Sequence, residues 1–257
     1  MQIKIVNDLF IRHNKIDESK QSIWLLHGFG DSGLAYKEVF DSPLTDMLNV
    51  YVVDLPGFGA SPINSNYLSI KAQSKLLKGV IEALSGDKQK INVVAHSIGG
   101  LIGTWVCQNL EGRIHYYFNI EGNLTEADSY FSSKPLSFDS ADDFAQSFIH
   151  EIFEKAWDNE SYRRYYSSLR FANPEAMRNW SLTSQEHIKS NQCGEEFKSL
   201  SCQKLYIWGD LDTSHESQLF IENHNIPNRL YEGVGHWHMI ENADELYRDI
   251  HETLLLQ

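Results

Sequence analysis

The stretch Ile91-Asn92-Val93-Val94-Ala95-His96-Ser97-Ile98-Gly99-Gly100 joins an apolar run to a serine flanked by small residues. The apolar run predicts a short strand that is covered on both faces. The pentapeptide Ala-His-Ser-Ile-Gly has the G-x-S-x-G pattern, with alanine in place of the first glycine. This pattern predicts a nucleophile elbow, a strained strand-to-helix turn that exposes the serine hydroxyl, although a serine- and glycine-containing loop is the alternative for the pentapeptide alone.

Apolar runs alternate with helical patterns on both sides of this stretch. Residues 3–11 predict an antiparallel hairpin at a sheet edge. Further strands are predicted at residues 23–26, 50–53, 116–120, 204–208 and 229–231, with helices at about 34–40, 70–84, 98–110 and 214–223. A last helix is predicted to begin after Asn242, with Glu245 in the capping-box position. Strands that alternate with helices indicate an α/β fold, with a mostly parallel twisted sheet and helices on both faces.

The alternation stops between residues 124 and 203, where helical patterns occur without obvious strands. The clearest helix begins at a predicted Ser140 N-cap, with Asp143 three residues later. The segment is rich in aromatic residues, namely Tyr130, Phe131, Phe138, Phe144, Phe148, Phe153, Trp157, Tyr162, Tyr165, Tyr166, Phe171 and Trp180. Singly, most of them are expected to hold small helices together; as a group they predict a helical lid over an apolar pocket. The predicted organisation is a core of residues 1–123 and 204–257 with a lid of residues 124–203.

Composition restricts the classes of partner. The chain has 257 residues and a formal net charge of −13, which argues against nucleic acid and anionic membranes as partners. No apolar run reaches the roughly 18 residues of a membrane span, and the N-terminus lacks a signal-peptide core, so we expect a cytoplasmic protein. The cysteines Cys107, Cys193 and Cys202 form no C-x-x-C pair and are expected to be reduced. The sequence predicts no oligomeric state.

Residues suited to catalysis follow the predicted strands, where open parallel sheets gather their sites. Ser97, Asp212 and His236 occur in the order serine, acid, histidine. Five motifs, in this order, make the chain resemble the α/β-hydrolase superfamily over nearly its whole length: His-Gly-Phe-Gly at 27–30, Asp-Leu-Pro-Gly-Phe-Gly-Ala-Ser at 54–61, Ala-His-Ser-Ile-Gly-Gly at 95–100, Gly-Asp-Leu-Asp at 209–212 and Gly-His at 235–236. The resemblance implies the α/β-hydrolase fold with an inserted helical lid.

Residue by residue, Ser97 matches the nucleophile of the family, His236 its base and Asp212 its acid. A serine hydroxyl needs such an imidazole to remove its proton. Asp210 and Glu121 are alternatives for the acid, His238 is an alternative for the base, and His96 is expected to pack beside the site. By the same resemblance, the backbone N–H groups of Phe29 and Ile98 form the oxyanion hole.

The resemblance implies a carboxylesterase-like enzyme (EC 3.1) that forms an acyl-enzyme. The aromatic residues of the predicted lid favour a small-molecule substrate with an apolar acyl or aromatic group over one with a charged group. Two alternatives remain: a C–C bond hydrolase or lyase that uses the same residues, and a non-catalytic ligand receptor or scaffold. Because the chain has neither a Walker A loop nor a His-Glu-x-x-His pattern, we expect catalysis without a metal or another cofactor.

Overall fold

The computed structural model of the protein describes residues 1–86 and 88–256. Asp87 and Gln257, which fall within the predicted core range, lie outside the described residues. A single sheet contains the strands β1 (Gln2–Val6), β2 (Leu9–His13), β3 (Ser22–Leu26), β4 (Asn49–Asp54), β5 (Ile91–His96), β6 (Ile114–Ile120), β7 (Gln203–Gly209) and β8 (Asn228–Tyr231). Its strand order is β1-β2-β4-β3-β5-β6-β7-β8. The predicted edge hairpin is confirmed, because β1 pairs antiparallel with β2 and β2 antiparallel with β4.

All the other pairings are parallel, and they bring the carboxyl ends of β3 to β8 to one edge of the sheet. The central strands β3, β4 and β5 are buried along their whole length, as expected for strands with helices on both faces. Trp24 and Tyr51, on the neighbouring strands β3 and β4, stack with their ring centroids 4.3 Å apart. The sheet core therefore rests on continuous apolar strands, and the polar residues that follow them collect at one edge.

Ten helices accompany the sheet in the described residues: α1 (Leu44–Met47), α2 (Ile70–Ser85), α3 (Gly99–Asn109), α4 (Ala141–Lys155), α5 (Glu160–Leu169), α6 (Pro174–Lys189), α7 (Gln192–Ser199), α8 (His215–Asn223), α9 (His238–Glu241) and α10 (Ala243–Leu255). Short 3-10 helices occur at Gly33–Asp41, Ser65–Tyr67, Glu126–Ser129 and Lys134–Ser137. The predicted N-cap at Ser140 is confirmed, since its hydroxyl accepts a hydrogen bond from the Asp143 N–H at 3.1 Å. None of these helices is long and apolar enough to span a membrane.

The capping box predicted at the start of α10 is wrong, although the helix begins where expected. The side chain of Asn242 accepts no hydrogen bond from the first turn of α10. Its amide instead donates to the carboxylate of Glu245 at 2.5 Å. Asn242 also ends α9, and its backbone N–H donates to the His238 carbonyl at 2.9 Å. With φ of −144° and ψ of 47°, Asn242 lies outside the extended backbone region that an N-cap residue usually adopts.

Residues 124–203, the segment predicted to be a lid, are all described and contain α4 to α7, and the last of these residues, Gln203, is the first of β7. Helix α5 is fastened to the 3-10 helix Gly33–Asp41 and to the residue before it. The Arg164 guanidinium donates to both carboxylate oxygens of Glu38, at 2.7 and 2.9 Å. The hydroxyls of Ser168 and Ser32 lie 2.9 Å apart. These contacts hold α5 over the loop that follows β3.

Candidate active site

Ser97 forms the turn between β5 and α3. Its φ of 54° lies in the left-handed region, which costs a residue other than glycine about 1–3 kcal/mol. The turn is compact: a Cβ on Gly99 would overlap the backbone carbonyl of His27, and one on Gly103 would lie 2.8 Å from the Cβ of Ala95. The small residues of the motif thus allow helix and strand to approach, and the chain adopts the predicted strand-turn-helix geometry.

His236 lies in the loop after β8 and is buried. Its Nδ1 is 3.1 Å from the Asp212 carboxylate, although the N–H does not point directly at the oxygen. Burial opposes the charged imidazole, but the attraction of Asp212 outweighs burial and raises the pKa of His236 above its ordinary value. The pKa of Asp212 is lowered to about 2, because the contact with His236 and the hydroxyl of Tyr130 outweigh the effect of its partial burial.

His96 connects the serine turn to the histidine loop. It is fully buried, and its Nε2–H donates to the backbone carbonyl of His236 at 2.9 Å. The two rings lie 4.6 Å apart. Burial lowers the pKa of His96 well below the usual range, so the ring stays neutral. His96 packs beside the site, as predicted, and it fixes the residue before Ser97 against His236.

Asp210 and His238 lie apart from this pair. The Asp210 carboxylate accepts the backbone N–H of Gly233 at 2.7 Å and faces that turn. His238 is fully buried against Tyr231, with ring centroids 5.3 Å apart, and burial lowers its pKa to about 4. Glu121 lies closer, with a carboxylate oxygen 4.0 Å from Nδ1 of His236. The structure therefore brings two of the candidate acids, Asp212 and Glu121, to the same histidine.

The loop after β3 carries Phe29 and packs against the serine turn. A Cβ on Gly28 would lie 2.9 Å from the Cβ of Ser97, so a side chain at this position would collide with the serine. The Phe29 carbonyl accepts a hydrogen bond from the Tyr165 hydroxyl at 2.8 Å, which anchors the loop to α5. Within residues 1–86 and 88–256, neither the Phe29 N–H nor the Ile98 N–H is used in a backbone hydrogen bond. Both donors are available for a developing negative charge.

His27 and Asp54 hold this loop from below. His27 is neutral because burial lowers its pKa to about 4. Its Nδ1–H donates to the Gly28 carbonyl at 2.9 Å, and its Nε2 accepts the Leu55 N–H at 3.0 Å. The buried Asp54 carboxylate accepts the Gly33 N–H at 2.7 Å. The motif at residues 54–61, to which the sequence assigned no chemical role, thus braces the loop that carries Phe29.

An aromatic layer covers the site. The inner aromatic cluster, which we define as Phe29, Phe131, Phe144, Phe148, Tyr165 and Trp237, is buried, with neighbouring ring centroids 5.1 to 6.3 Å apart. Trp237 lies edge-on to the ring of His236 at 5.2 Å. Other aromatic residues of the segment are exposed, namely Tyr130, Phe153, Trp157 and Phe171.

A cavity of about 520 Å³ between Cys107 and Cys202 lies near the start of β6 and β7, at the opposite edge of the sheet from Ser97.

Tyr130 and Tyr165 were not predicted as site residues. The Tyr130 hydroxyl donates to the Asp212 carboxylate at 2.6 Å, and its ring lies 5.6 Å from the ring of His236. Each tyrosine contacts a residue far away in the chain, so no local pattern marks it. Glu121, Asp212 and His236 are also the only group in the described residues whose ligand atoms are close enough for a metal ion, within 4.8 Å of one another. The same closeness suits a histidine that is held by carboxylates for proton transfer.

The sequence profile of the alpha/beta hydrolase family matches residues 25–249 of the chain. A curated relative, the 2-hydroxy-6-oxononadienedioate/2-hydroxy-6-oxononatrienedioate hydrolase 1 of Pseudomonas putida, is 22% identical over 279 residues, which cover 96% of this chain and 92% of the relative.

Solved structures share the fold. A thermophilic esterase from Thermogutta terrifontis matches with a TM-score of 0.74 and 20% identity over 96% of this chain and 92% of its own. An esterase from Exiguobacterium antarcticum matches with a TM-score of 0.75 and 14% identity over 95% and 94% of the two chains. The sheet order, the serine turn after β5 and the extent of the profile match agree with one another, and the chain belongs to the alpha/beta hydrolase family.

Proposed function

We propose that the protein is a serine hydrolase that cleaves an ester or a related acyl substrate through an acyl-enzyme. The observation that carries this proposal is the pairing of His236 with Asp212 at the edge where Ser97 leaves β5 in a left-handed turn. A histidine with a raised pKa beside a carboxylate is the arrangement that activates a hydroxyl nucleophile. The esterases of known structure described above share the fold of this chain.

In the proposed mechanism, the Ser97 oxygen attacks the acyl carbonyl while Nε2 of His236 takes the hydroxyl proton. Asp212 stabilises the imidazolium that results. The N–H groups of Phe29 and Ile98 donate to the oxyanion of the tetrahedral intermediate. His236 then protonates the leaving group as its bond to the acyl carbon breaks. Water, deprotonated by the same ring, attacks the acyl-enzyme, and the imidazolium returns this proton to the Ser97 oxygen as the acyl group leaves as the acid. No hydrogen bond joins Ser97 to the His236 ring in the described residues, and the proposed mechanism requires one to form when a substrate binds.

The lid and the substrate class are part of the proposal. We assign residues 124–203 to a lid over a core formed by residues 1–123 and 204–257. The inner aromatic cluster lies between the loop of Phe29 and the ring of His236. The cations that lie over its rings, Lys134 and Lys155, are paired with Glu151. Because the cluster itself is aromatic, we expect it to bind an apolar acyl or aromatic group rather than a charged one.

A C–C bond hydrolase is the second candidate function. It is favoured by the curated relative, which is named as a hydrolase of 2-hydroxy-6-oxononadienedioate and covers nearly the same length. The same serine, histidine and acid would serve either reaction, and function does not follow from the fold.

A substrate panel combined with active-site labelling tests the proposal. The panel contains p-nitrophenyl and aryl esters, a thioester, a lactone and a vinylogous diketone, and we expect the highest kcat/KM on an apolar ester. A fluorophosphonate probe should label Ser97, as located by peptide mass spectrometry, and the label should be absent from urea-unfolded protein. Labelling without ester hydrolysis but with diketone cleavage would favour the second candidate. A folded protein that neither reacts with the probe nor turns over any substrate would support a non-catalytic receptor.

The kcat/KM of ester hydrolysis should fall as the pH decreases through the pKa of His236. Protonated imidazole cannot accept the Ser97 proton, so activity belongs to the neutral form. Because Asp212 raises this pKa, the acid limb should have its inflection above the ordinary histidine value of 6.5. A kcat/KM profile measured over about pH 5 to 9 checks this prediction, and an inflection well below the ordinary value would contradict it.

Tyr165→Phe should lower kcat about 10-fold with little change in KM, since it loosens the loop of one oxyanion donor without removing the donor. The variant loses only the hydrogen bond to the Phe29 carbonyl and keeps the ring in the inner aromatic cluster. Tyr166→Phe is the matched control, because Tyr166 lies on the same helix but packs against Phe153, away from Phe29. Steady-state kinetics of both variants on one ester decide the outcome, and equal kcat values would refute the role of Tyr165.

A further inference from the structure

Glu121 is a buried carboxyl that the proposed mechanism does not use. It follows β6 with a φ of 48°, a left-handed conformation that glutamate rarely adopts. One carboxylate oxygen accepts the Gly209 N–H at 2.6 Å and the Thr213 hydroxyl at 2.8 Å. The side chain is therefore held rigidly at the end of the sheet by β7 and by the loop that carries Asp212.

The second oxygen of Glu121 lies 4.0 Å from Nδ1 of His236, the same nitrogen that lies 3.1 Å from Asp212. The two acids differ in their surroundings. The Asp212 side chain is 34% exposed, and the oxygen that faces His236 also accepts the hydroxyl of Tyr130, whereas the Glu121 side chain is 4% exposed. Nδ1 of His236 thus faces two acids. One is the exposed Asp212, which also binds Tyr130 of the proposed lid, and the other is the buried Glu121 of the core.

The charge state of Glu121 follows from its neighbours. Burial, together with the negative charge of Asp212, outweighs the opposing effects of His236 and of the two hydrogen bonds, and the net result raises the pKa of Glu121 to about 8. The other titratable groups that bear on the site are the hydroxyls of Tyr130 and Tyr206, which interact with Glu121, and His96, His238 and Glu241, which interact with His236. At neutral pH the carboxyl is mostly protonated while Asp212 is ionised. Removing the charge of Asp212 makes it easier for Glu121 to ionise beside His236.

We propose that Glu121 is a second positioning carboxyl for His236, which orients the imidazole and stabilises its charged form whenever Asp212 does not supply its charge. The catalytic consequence rests on the proposed serine hydrolase function. The orientation of His236 by Glu121 does not. In a site with a single acid, replacing the aspartate by asparagine lowers kcat by about 10⁴-fold. With Glu121 in place, Asp212→Asn should retain far more activity.

The kinetic test uses Asp212→Asn, Glu121→Gln and the double variant, with Asp210→Asn as the matched control. Asp212→Asn should lose about 10- to 100-fold in kcat/KM, with residual activity that rises with pH as Glu121 ionises. Adding Glu121→Gln to Asp212→Asn should abolish this pH-dependent residual activity, a further loss of about 100-fold in kcat/KM. Glu121→Gln alone should lower kcat/KM less than about 10-fold. Asp210→Asn should leave the profile unchanged. The proposal is overturned if the double variant has the same activity as Asp212→Asn at every pH.

An NMR titration separates this proposal from the proposed function, because it does not depend on turnover. In protein labelled with ¹³C-histidine, the His236 ring signals should show their own inflection and a second one as Glu121 ionises at higher pH. The second inflection should move to lower pH in Asp212→Asn and vanish in Glu121→Gln. If Glu121→Gln fails to fold, the titrations of the unmodified protein and of Asp212→Asn decide the outcome. A His236 signal that is insensitive to Glu121 overturns the proposal, whereas normal coupling in a protein without hydrolytic activity overturns only the proposed function.

Discussion

Ser97→Ala should lower the kcat of ester hydrolysis by about 10⁴- to 10⁶-fold, because no other group in the site supplies the nucleophile. Binding through the inner aromatic cluster should persist, so KM should change little. The measurement is steady-state kinetics on the best ester of the panel. Ser190→Ala, an exposed serine at the end of α6, is the control and should keep full activity. Less than a 10-fold loss in Ser97→Ala would reject the serine mechanism.

The same position offers a test of the turn that is independent of catalysis. Ser97→Gly should be as inactive as Ser97→Ala but more stable by about 1 kcal/mol, because glycine adopts the left-handed φ without strain and alanine does not. Comparing the urea midpoints of the two variants isolates the backbone effect, since both lack the hydroxyl. Equal midpoints would mean that the turn is relaxed.

Asp54→Ala should destabilise the fold by about 3–5 kcal/mol, the loss expected when one member of a buried ion pair is removed. The Asp54 carboxylate accepts the Arg12 guanidinium at 2.6 and 3.2 Å and the N–H groups of Gly33 and Ala60 at 2.7 and 2.8 Å. Without it, a buried cation and two backbone donors lose their partner. Urea unfolding measures the free energy of unfolding, and a loss below about 1 kcal/mol would contradict the prediction.

Two variants identify the source of this loss. Adding Arg12→Met to Asp54→Ala should recover part of the stability, because the double variant no longer buries an unpaired charge. Glu82→Ala breaks the half-buried surface pair with Lys78, whose charged atoms lie 2.8 Å apart, and should cost only about 0.3–0.5 kcal/mol. A double variant that is less stable than Asp54→Ala would point to lost packing of Arg12 rather than to its charge.

The elements that could be predicted well are those whose residue pattern lies within one short stretch of the chain. Helix α2 was predicted over residues 70–84 and observed at Ile70–Ser85, because its apolar face repeats at helical spacing and Ser69 caps it. The serine turn could be predicted because the motif places small residues, Ala95 and Gly99, on both sides of Ser97, as a tight strand-to-helix turn requires. The capping box predicted at Asn242 does not form, because this residue both ends α9 and precedes α10. Its backbone is therefore not in the extended conformation of a usual N-cap residue.

The contacts that assemble the site could not be predicted from local patterns. Tyr130 and Asp212 are 82 residues apart, and Tyr165 and Phe29 are 136 residues apart. Such pairs depend on how residues 124–203 pack against the rest of the chain, and this packing involves many rings rather than any single residue. For the same reason the aromatic content of residues 124–203 was evident in the sequence, but the division into buried and exposed rings was not.

The fastening of α5 has a consequence for the range of substrates. Arg164 and Ser168 tie the helix to Glu38 and Ser32, and Tyr165 ties it to Phe29. A bulky substrate that must displace α5 to enter would also release the Phe29 carbonyl and loosen the loop that carries one of the proposed oxyanion donors. We therefore expect substrate breadth and turnover to oppose each other in this protein, so that variants selected for larger substrates at α5 become slower on small ones.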